Sequence, residues 1–298
     1  MKLCGFSHIT KENFLLSLCS SMKTGGRAKY AFFPENESDF IGLADALSDE
    51  KNVYVIGNAT NVLFPDDASN LYIIFTTKMT GIRSLSDTEF FVRCGNPLTG
   101  VSSFATREGL AGLEFAYGIP GNVGGSVFMN AGAYGGELSQ VIKSVSAYDR
   151  NKKELVTLSR EECGFGYRDS IFMHRKELLI LGATFALSRG NKDEIEKKCR
   201  ENMQARRDKQ PLEFPSCGSA FKRPEGHFAG KLIEDCGLKG VSVGGAQVSE
   251  KHAGFIINRE NATSSDVLSL MELVTERVKE KFGVTLCPEI EIIKETEH

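Results

Sequence analysis

Apolar residues recur along the first third of the chain in short runs that end at turn residues. Residues 54–56, 71–75 and 89–94 are such runs, and the first of them stops at Gly57 and Asn58. Runs of this length bounded by turn residues predict β-strands. Two longer polar and apolar stretches predict helices: residues 38–47, with Ser38 as the N-cap, and residues 99–109, ending at Gly109.

The second half of the chain repeats this mixture of strands and helices. Strands are predicted at residues 141–149 and 177–189, and Asn191 caps a highly charged helix that runs to about Lys209. A further helix begins at residues 263–266 and ends at Gly283, with a helically spaced apolar stripe. The stripe consists of Val267, Leu270, Met271, Val274 and Val278. Residues 284–293 predict a final strand, interrupted by Pro288.

Strands and helices that alternate in this irregular way predict a mixed α and β protein. A length of 298 residues suggests about two domains. The charged helix ends in a proline-containing segment, so a domain boundary is expected near residues 205–212.

Composition excludes several classes of protein. Hydrophobic residues make up 41% and charged residues 25% of the chain, with a formal net charge of -3 and no long run of one sign. This balance indicates no nucleic-acid partner and no membrane-surface partner. The apolar runs are too short to span a bilayer, and the N-terminus shows no secretory pattern, so a cytoplasmic location is expected.

The cysteines and histidines are scattered. None of the eight cysteines forms a CxxC pair, and the five histidines are isolated. Reduced thiols are therefore expected, and no metal site is predicted.

Two segments rich in small residues are candidates for ligand binding. Residues 57–63 follow a predicted strand, and their backbone N–H groups are suited to binding an anion, although the segment taken alone favours a simple strand-ending turn. In residues 118–136, glycine or proline fills eight of 19 positions. That segment is too apolar for a flexible linker, so either close approach to a large ligand or a tightly packed turn accounts for it.

Three polar segments are weaker candidates when each is taken alone. Tyr167 and Arg168 follow a glycine, Ser219 lies on a glycine-containing turn among basic residues, and Glu289 follows a proline near the C-terminus. An exposed strand residue or a structural loop explains each of them as well.

Taken together and in this order, six blocks resemble the UDP-N-acetylenolpyruvoylglucosamine reductases (UDP-N-acetylmuramate dehydrogenases, the MurB family). They are residues 24–28, 57–61, 112–136, 167–170, 210–224 and 288–289. The resemblance spans nearly the whole chain, and residues 118–136 and 215–224 are its most specific parts. The segment between Arg168 and Lys209 is too short for the tyrosine-bearing loop of one branch, so the chain resembles the branch that lacks this loop.

The resemblance implies an α+β protein with an FAD-binding fold of the vanillyl-alcohol-oxidase/PCMH type in two lobes. These lobes would be residues 1–78 and 79–207. A C-terminal α+β substrate-binding domain would follow at residues 208–298, with its last strand returning to the FAD domain.

It further implies non-covalent FAD, NADPH as co-substrate, and reduction of UDP-N-acetylenolpyruvoylglucosamine (UDP-N-acetylglucosamine enolpyruvate) to UDP-N-acetylmuramate. That product serves peptidoglycan synthesis, and hence cell shape and division. A cytoplasmic monomer without membrane insertion is expected.

The site residues follow from the same resemblance. Catalytic roles are implied for Arg168, Ser219 and Glu289, and substrate contacts for Tyr167, Lys209, Lys222 and Arg223. Cofactor contacts are implied for Gly57, Asn58, Ala59, Thr60, Asn61, Val62, Ile119, Pro120, Gly121, Gly124, Gly125, Ser126, Asn130, Gly132 and Ala133. The family often has glycine where Ala59 stands, and alanine disfavours a positive φ there.

The implied reaction requires three tasks, and the resemblance assigns one residue to each. A hydride delivered to the terminal vinyl carbon leaves negative charge on the adjacent carbon, shared with the carboxylate. Arg168 matches the family's carboxylate-binding position and Ser219 its proton donor, while Glu289 can stabilise the charge if it carries or shares a proton. An FAD-dependent oxidase of the same fold and a non-catalytic nucleotide-binding protein remain as alternatives.

Overall fold

The computed structural model describes residues 4–295, which fall into two compact units built from alternating pieces of the chain. The first unit contains residues 4–11, 30–58 and 72–205, and the second contains residues 12–29, 59–71 and 206–295. Compactness therefore divides the chain into two parts. The division into two FAD-binding lobes, residues 1–78 and 79–207, and a substrate-binding domain, residues 208–298, stays a prediction.

The helices range from a single turn to five turns. The α-helices among the described residues are α1 Glu37–Ala46, α2 Leu98–Arg107, α3 Val123–Phe128, α4 Ile171–His174, α5 Lys192–Lys209, α6 Ala229–Asp235 and α7 Ser264–Phe282. Short 3-10 helices occupy Cys4–Ile9, Leu16–Leu18, Thr76–Lys78, Glu114–Ala116 and Leu138–Gln140.

The strands are mostly short. They are β1 Thr10–Leu15, β2 Arg27–Phe32, β3 Val53–Ile56, β4 Val62–Leu63, β5 Tyr72–Phe75, β6 Ile82–Ser84, β7 Glu89–Arg93, β8 Leu110–Ala111, β9 Gly132–Ala133, β10 Gly136–Glu137, β11 Ile142–Asp149, β12 Glu154–Ser159, β13 Leu178–Ala186, β14 Ser188–Arg189, β15 Ser216–Ser219, β16 Ser242–Val243, β17 Ala246–Val248, β18 Phe255–Asn258 and β19 Glu291–Ile292.

The first unit is organised around two sheets. One contains β3, β5 and residues 30–32 of β2, and both β2 and β3 run parallel to the buried strand β5, which lies between them. The other is antiparallel, in the order β12-β11-β13-β7-β6. Strand β13 contacts β11, β7 and α3, and its side chains are almost all buried. These strands and helices share one hydrophobic core, which gives the loops between them a rigid base.

The second unit places α7 against a four-stranded antiparallel sheet in the order β15-β18-β17-β16. All five residues of the predicted apolar stripe of α7 are buried in its core. Met22 and Leu63, from the two earlier pieces of the chain, are buried in the same core. The strand that contains Leu63, β4, pairs in parallel with β19.

Helix ends agree with the sequence at three of the four predicted caps. Thr263 caps α7 through a reciprocal capping box with Asp266, Gly283 ends it at φ +69°, and Asn191 accepts the backbone N–H groups at the start of α5. The predicted cap at Ser38 is wrong. Asn36 is the N-cap of α1, because its extended backbone lets Oδ1 accept the Asp39 N–H at 2.9 Å.

The predicted final strand at residues 284–293 is also wrong for most of its length. Only Glu291 and Ile292 form a strand there. Pro288 has no N–H to donate and forms only an isolated bridge with Phe221, so regular pairing begins after it.

Candidate active site

Two of the predicted cofactor segments meet within the first unit. The Asn58 side-chain amide donates to the carbonyl oxygen of Pro120 at 3.0 Å, across 62 residues of sequence. A Cβ at Gly57 would lie 3.4 Å from the Cβ of Asn122, whose buried amide donates to the Gly95 carbonyl. The loops at residues 57–58 and 120–122 therefore lie side by side.

Helix α3 presents open backbone next to these loops. Gly124 packs against Cys94, where an added Cβ would lie 3.0 Å from the cysteine Cβ. Gly125 is exposed and has open space where a side chain would be. Burial raises the pKa of the Cys94 thiol to about 12, so this cysteine stays a protonated packing residue. A ligand can approach the backbone at Gly125 without displacing a side chain.

A tight hairpin follows α3. Strands β9 and β10 pair Ala133 with Gly136 and Gly132 with Glu137. Tyr134 and Gly135 between them both have positive φ, at +52° and +83°, as a type I′ turn requires. An added Cβ at Gly132 would lie 2.6 Å from the Gly136 carbonyl oxygen, so the hairpin needs a glycine there.

Arg168 lies on another tight turn of the first unit. Gly166 and Asp169 pair across it, which leaves Tyr167 and Arg168 at its tip. Arg168 has φ +53°, and its guanidinium donates to the Gly132 carbonyl at 2.9 Å. Its Cζ lies 5.2 Å from the centroid of the half-exposed Tyr167 ring. The structure thus brings Arg168 to the hairpin that contains Gly132 and Ala133.

In the second unit, Ala59 adopts the conformation that its residue type disfavours. Its φ is +47°, against the expectation from the sequence. The residue is buried, and its carbonyl accepts the Ser21 N–H at 3.2 Å. A left-handed alanine costs roughly 1 kcal/mol, which surrounding contacts of this kind offset.

Ser219 and Glu289 are brought together by backbone pairing in the second unit. The Glu289 N–H donates to the Ala220 carbonyl at 2.9 Å, and the Lys222 N–H donates to the Cys287 carbonyl at 2.8 Å. The Asn61 side chain donates to the Glu289 carbonyl at 2.9 Å. Three distant parts of the sequence, the segments that contain Asn61, Ser219 and Glu289, are therefore joined by hydrogen bonds.

Strand β15 has an irregular register just before Ser219. Ser216 pairs with Ile257 but Ser219 pairs with Phe255, so three steps on β15 match two on β18. Gly218 takes up the difference at φ +77°. Such a bulge re-aims the side chain that follows it, and Ser219 is half-buried there.

The basic residues predicted to contact substrate differ in their surroundings. Lys222 is half-buried and follows Ser219 on the same segment, while the exposed Arg223 lies with its Cζ 4.7 Å from the Phe228 ring centroid. Lys209 is the exposed last residue of α5. Their contacts with substrate stay predictions.

A loop that received no role from the sequence also carries candidate ligand groups. Within residues 4–295, the buried hydroxyls of Ser20 and Thr24 have no hydrogen-bond partner. Between them, Ser21 donates through Oγ to the Ser216 carbonyl at 2.8 Å. The cluster of serine, threonine and glycine at residues 20–26 is the sequence feature that could have indicated this loop. Small polar residues are also common in ordinary turns, so the feature is not specific.

Residues 4–295 carry neither a metal-binding cluster nor a membrane-spanning helix. In the described part of the chain, no group of three or more histidine, cysteine, aspartate or glutamate residues has a geometry that could hold a metal ion. None of the helices between residues 4 and 295 combines the length and the apolar character needed to cross a membrane.

Comparison with known proteins gives matches over nearly the entire chain. Residues 210–293 match the UDP-N-acetylenolpyruvoylglucosamine reductase C-terminal domain, and residues 28–159 match an FAD binding domain. The UDP-N-acetylenolpyruvoylglucosamine reductase of Caldanaerobacter subterraneus subsp. tengcongensis is 46% identical over 279 residues, covering 93% of this chain and 91% of its own length. That of Clostridium novyi is 44% identical over 287 residues, covering 96% and 92%.

A solved structure is similar over the same extent. The crystal structure of UDP-N-acetylenolpyruvylglucosamine reductase from Thermus caldophilus superposes with a TM-score of 0.79 at 31% identity. The match covers 94% of this chain and 97% of the other.

Proposed function

Because the chain belongs to the UDP-N-acetylenolpyruvoylglucosamine reductase family, we propose that it reduces UDP-N-acetylenolpyruvoylglucosamine to UDP-N-acetylmuramate with NADPH, in peptidoglycan synthesis. The support is identity near 45% over more than nine tenths of the chain, with similar coverage of the relatives. The observation within the structure that supports this reaction is the backbone hydrogen bond from the Glu289 N–H to the Ala220 carbonyl, which joins the segment of Glu289 to the segment of Ser219.

The residues present fit FAD as a bound cofactor. Small residues line the loops at 57–58 and 120–126, and the backbone at Gly125 is open to a ligand. The buried hydroxyls of Ser20 and Thr24 have no hydrogen-bond partner among residues 4–295. In the first unit, residues 57–58, 119–126 and 130–133 would hold the cofactor, and in the second unit residues 59–62 would do so. FAD, when bound, supplies the redox chemistry by accepting a hydride from NADPH and delivering it to the substrate.

We expect the FAD to be non-covalent, since no histidine lies in residues 57–62 or 118–136. Acid precipitation of purified protein should release the flavin into the supernatant. Flavin retained in the pellet, with a matching mass increase on the chain, would contradict this expectation.

The protein groups then manage charge and protons. Hydride addition converts the terminal CH₂ carbon into a methyl group, and the electron pair of the former double bond moves to the adjacent carbon and its carboxylate. Arg168 binds that carboxylate through a charge-assisted contact. Glu289, in its protonated form, donates a hydrogen bond to the developing enolate, and Ser219 transfers its hydroxyl proton to the adjacent carbon.

This sequence of steps balances. One hydride and one proton are added across the double bond, and the ether oxygen keeps both of its bonds. The Ser219 alkoxide left behind recovers a proton from solvent. A serine is a weak acid in water, but a strongly basic carbanion is a suitable acceptor, and positioned proton transfer contributes about 10²–10⁴-fold in rate.

Basic side chains would bind the diphosphate of the substrate. Lys222 and Arg223 lie close along the chain to Ser219, and Lys209 ends α5 with its side chain exposed. Tyr167, half-exposed beside Arg168, would contact the substrate or the nicotinamide ring.

We also propose that the protein acts as a monomer in the cytoplasm. Among the described residues, six cysteines form no disulfide, as a reducing compartment allows: Cys94, Cys163, Cys199, Cys217, Cys236 and Cys287. Light scattering during size-exclusion chromatography should give a mass near the 32.7 kDa of one chain. A mass of twice that value would contradict the monomer.

An anaerobic two-step assay tests the function. The yellow protein should bleach on addition of NADPH and recover its colour when UDP-N-acetylenolpyruvoylglucosamine is added. Recovery only with oxygen would favour an oxidase of the same fold. A colourless protein that binds the nucleotide sugar without redox change would favour the non-catalytic alternative.

A further inference from the structure

Asn130 is a fully buried asparagine whose amide is engaged at both ends within the first unit. Its Oδ1 accepts the Ser139 N–H at 2.9 Å, and its Nδ2 donates to the Gly166 carbonyl at 2.8 Å. A backbone N–H only donates and a carbonyl only accepts, so the orientation of the amide is determined by its partners. Asn130 also has φ +46°, a conformation that asparagine tolerates better than most residues.

The residue that Asn130 binds, Gly166, opens the turn that carries Arg168. A second buried bond holds the other end of this turn, where Ser170 Oγ donates to the Phe128 carbonyl at 2.6 Å. The Arg168 guanidinium adds a third bond, to Gly132. All three bonds join the turn to residues 128–132, which begin with the last residue of α3.

We propose that Asn130 is a positioning residue that holds the Tyr167-Arg168 turn, so that the Arg168 guanidinium is already aimed at the enolpyruvyl carboxylate when substrate arrives. This inference rests on the proposed function of Arg168. An arginine at φ +53° is strained by roughly 1 kcal/mol, and an exposed two-residue turn would otherwise relax into other conformations. Bonds at both ends of the turn restrict it to the strained conformation, which spares the substrate the cost of ordering it.

The side chain and the backbone of residue 130 serve the same end. The left-handed backbone turns the chain from α3 towards β9, and the amide reaches across to Gly166. Glycine would allow the backbone conformation but supply no amide, so Asn130→Gly removes the two hydrogen bonds without adding strain.

The test is a double-mutant cycle between residues 130 and 168. The dissociation constant of UDP-N-acetylenolpyruvoylglucosamine is measured by titrating the oxidised holoenzyme and following the flavin absorbance. We compare wild type, Arg168→Ala, Asn130→Gly and the double variant. Asn130→Gly should weaken binding roughly tenfold, and adding it to Arg168→Ala should weaken binding less than about twofold further, because residues that act through the same backbone turn couple.

Three controls separate positioning from general destabilisation. Ser170→Ala removes the other anchor of the turn and should show the same coupling to Arg168, which keeps the test valid if Asn130→Gly does not fold. Asn202→Ala removes another buried asparagine amide, which donates to the Glu114 carbonyl at 2.9 Å, and its effect should simply add to that of Arg168→Ala. Flavin reduction by NADPH should stay within about twofold in Ser170→Ala, which lies outside the residues assigned to cofactor and substrate.

The outcomes distinguish a failure of the proposed role of Arg168 from a failure of the proposed role of Asn130. If Arg168→Ala binds substrate as tightly as wild type, the proposed role of Arg168 fails first. If Arg168→Ala weakens binding but Asn130→Gly does not, or if the two losses multiply independently, Asn130 has no positioning role.

Discussion

Ser219 follows the bulge at Gly218, and its proposed role concerns only one of the two half-reactions. Ser219→Ala should leave flavin reduction by NADPH close to wild type. It should slow reoxidation of the reduced flavin by substrate roughly 10²-fold or more, since only that step needs the proton. Anaerobic stopped-flow absorbance measures both rates.

Ser216→Ala is a matched control for this prediction, because it removes a hydroxyl from the other end of β15. Its two half-reactions should both resemble wild type. If Ser219→Ala instead slows both half-reactions to the same extent, the residue supports the structure and does not donate the proton.

Glu289 acts mainly on the intermediate in our proposal, so its substitution should affect rate more than affinity. Glu289→Gln keeps the size of the side chain but removes the acid. It should slow the substrate half-reaction at least tenfold while leaving substrate affinity and thermal stability near wild type.

Glu291→Gln, two residues further along the chain, serves as the control and should be almost neutral. A reoxidation rate of Glu289→Gln within about twofold of wild type, well under 1 kcal/mol of barrier, would show that Glu289 has been assigned wrongly.

Single residues also show where sequence reasoning stops. The general preference of alanine for negative φ predicted the wrong conformation for Ala59, because that preference is worth only about 1 kcal/mol and tertiary contacts outweigh it. Asn130 was identified as a site residue through the family resemblance. Its bonds to Ser139 and Gly166 depend on the tertiary fold, which brings those residues to it, so no local sequence pattern predicts them.

At the scale of elements, the N-terminus of α7 receives a cap from a distant segment of the second unit. Asp66 accepts the backbone N–H groups of Ser264 and Ser265, at 2.7 and 2.9 Å, and the Ser265 hydroxyl at 2.7 Å. Burial raises the pKa of Asp66, but hydrogen bonds from Ser265 and Ser264 outweigh it, so the pKa of this carboxyl is lowered. Asp66 therefore favours the folded state in its charged form.

We expect Asp66→Asn to lower the free energy of unfolding at pH 7 by about 0.5–1 kcal/mol, a modest value because the group is exposed and screened by solvent. A carboxyl with a lowered folded pKa contributes stability above its unfolded value of 3.8 and loses it as pH falls through the folded pKa. Urea unfolding at pH 7 and pH 3 should therefore show a difference between wild type and Asp66→Asn at pH 7 that shrinks at pH 3. An equal difference at both pH values would exclude this charge-dependent cap.

Elements were predictable where a local pattern was complete. The start of α7, its apolar stripe and its terminal Gly283 all follow from neighbouring residues, and the structure confirms them. The strand predicted at 284–293 failed because β propensity says nothing about available partners. Only residues 291–292 find one, in β4.

For the whole molecule, the predicted α+β class and FAD-binding domain are confirmed by the family match and by the similar solved structure. The interleaving of the two units was not predictable from composition. The compact division falls at residues 205–206, within the charged helix α5 that ends at Lys209, and the predicted domain limits stay predictions. The return of residues 12–29 and 59–71 to the second unit rests on contacts such as that between Asn258 and the Met22 carbonyl.

We therefore expect a fragment of residues 206–298 not to fold by itself. It lacks Met22 and Leu63 from the core, β4 as the partner of β19, and the Asp66 cap of α7. Each loss costs on the order of 1 kcal/mol or more against a total stability of about 5–15 kcal/mol. Circular dichroism should show no cooperative thermal transition in the fragment, whereas the full chain should show one; a cooperative transition would contradict this expectation.

The interleaving of the second unit also determines when its pieces become available during translation. The ribosome makes residues 12–29 and 59–71 before most of the first unit, but the other 93 residues of their unit, 206–298, only after it. At about 5–20 residues per second, that final stretch takes roughly 5–20 s to translate. The first unit has its whole sequence by residue 205, whereas Met22 and Leu63 must wait for most of translation before their neighbours exist. Newborn chains should therefore depend on chaperones until the last stretch is complete.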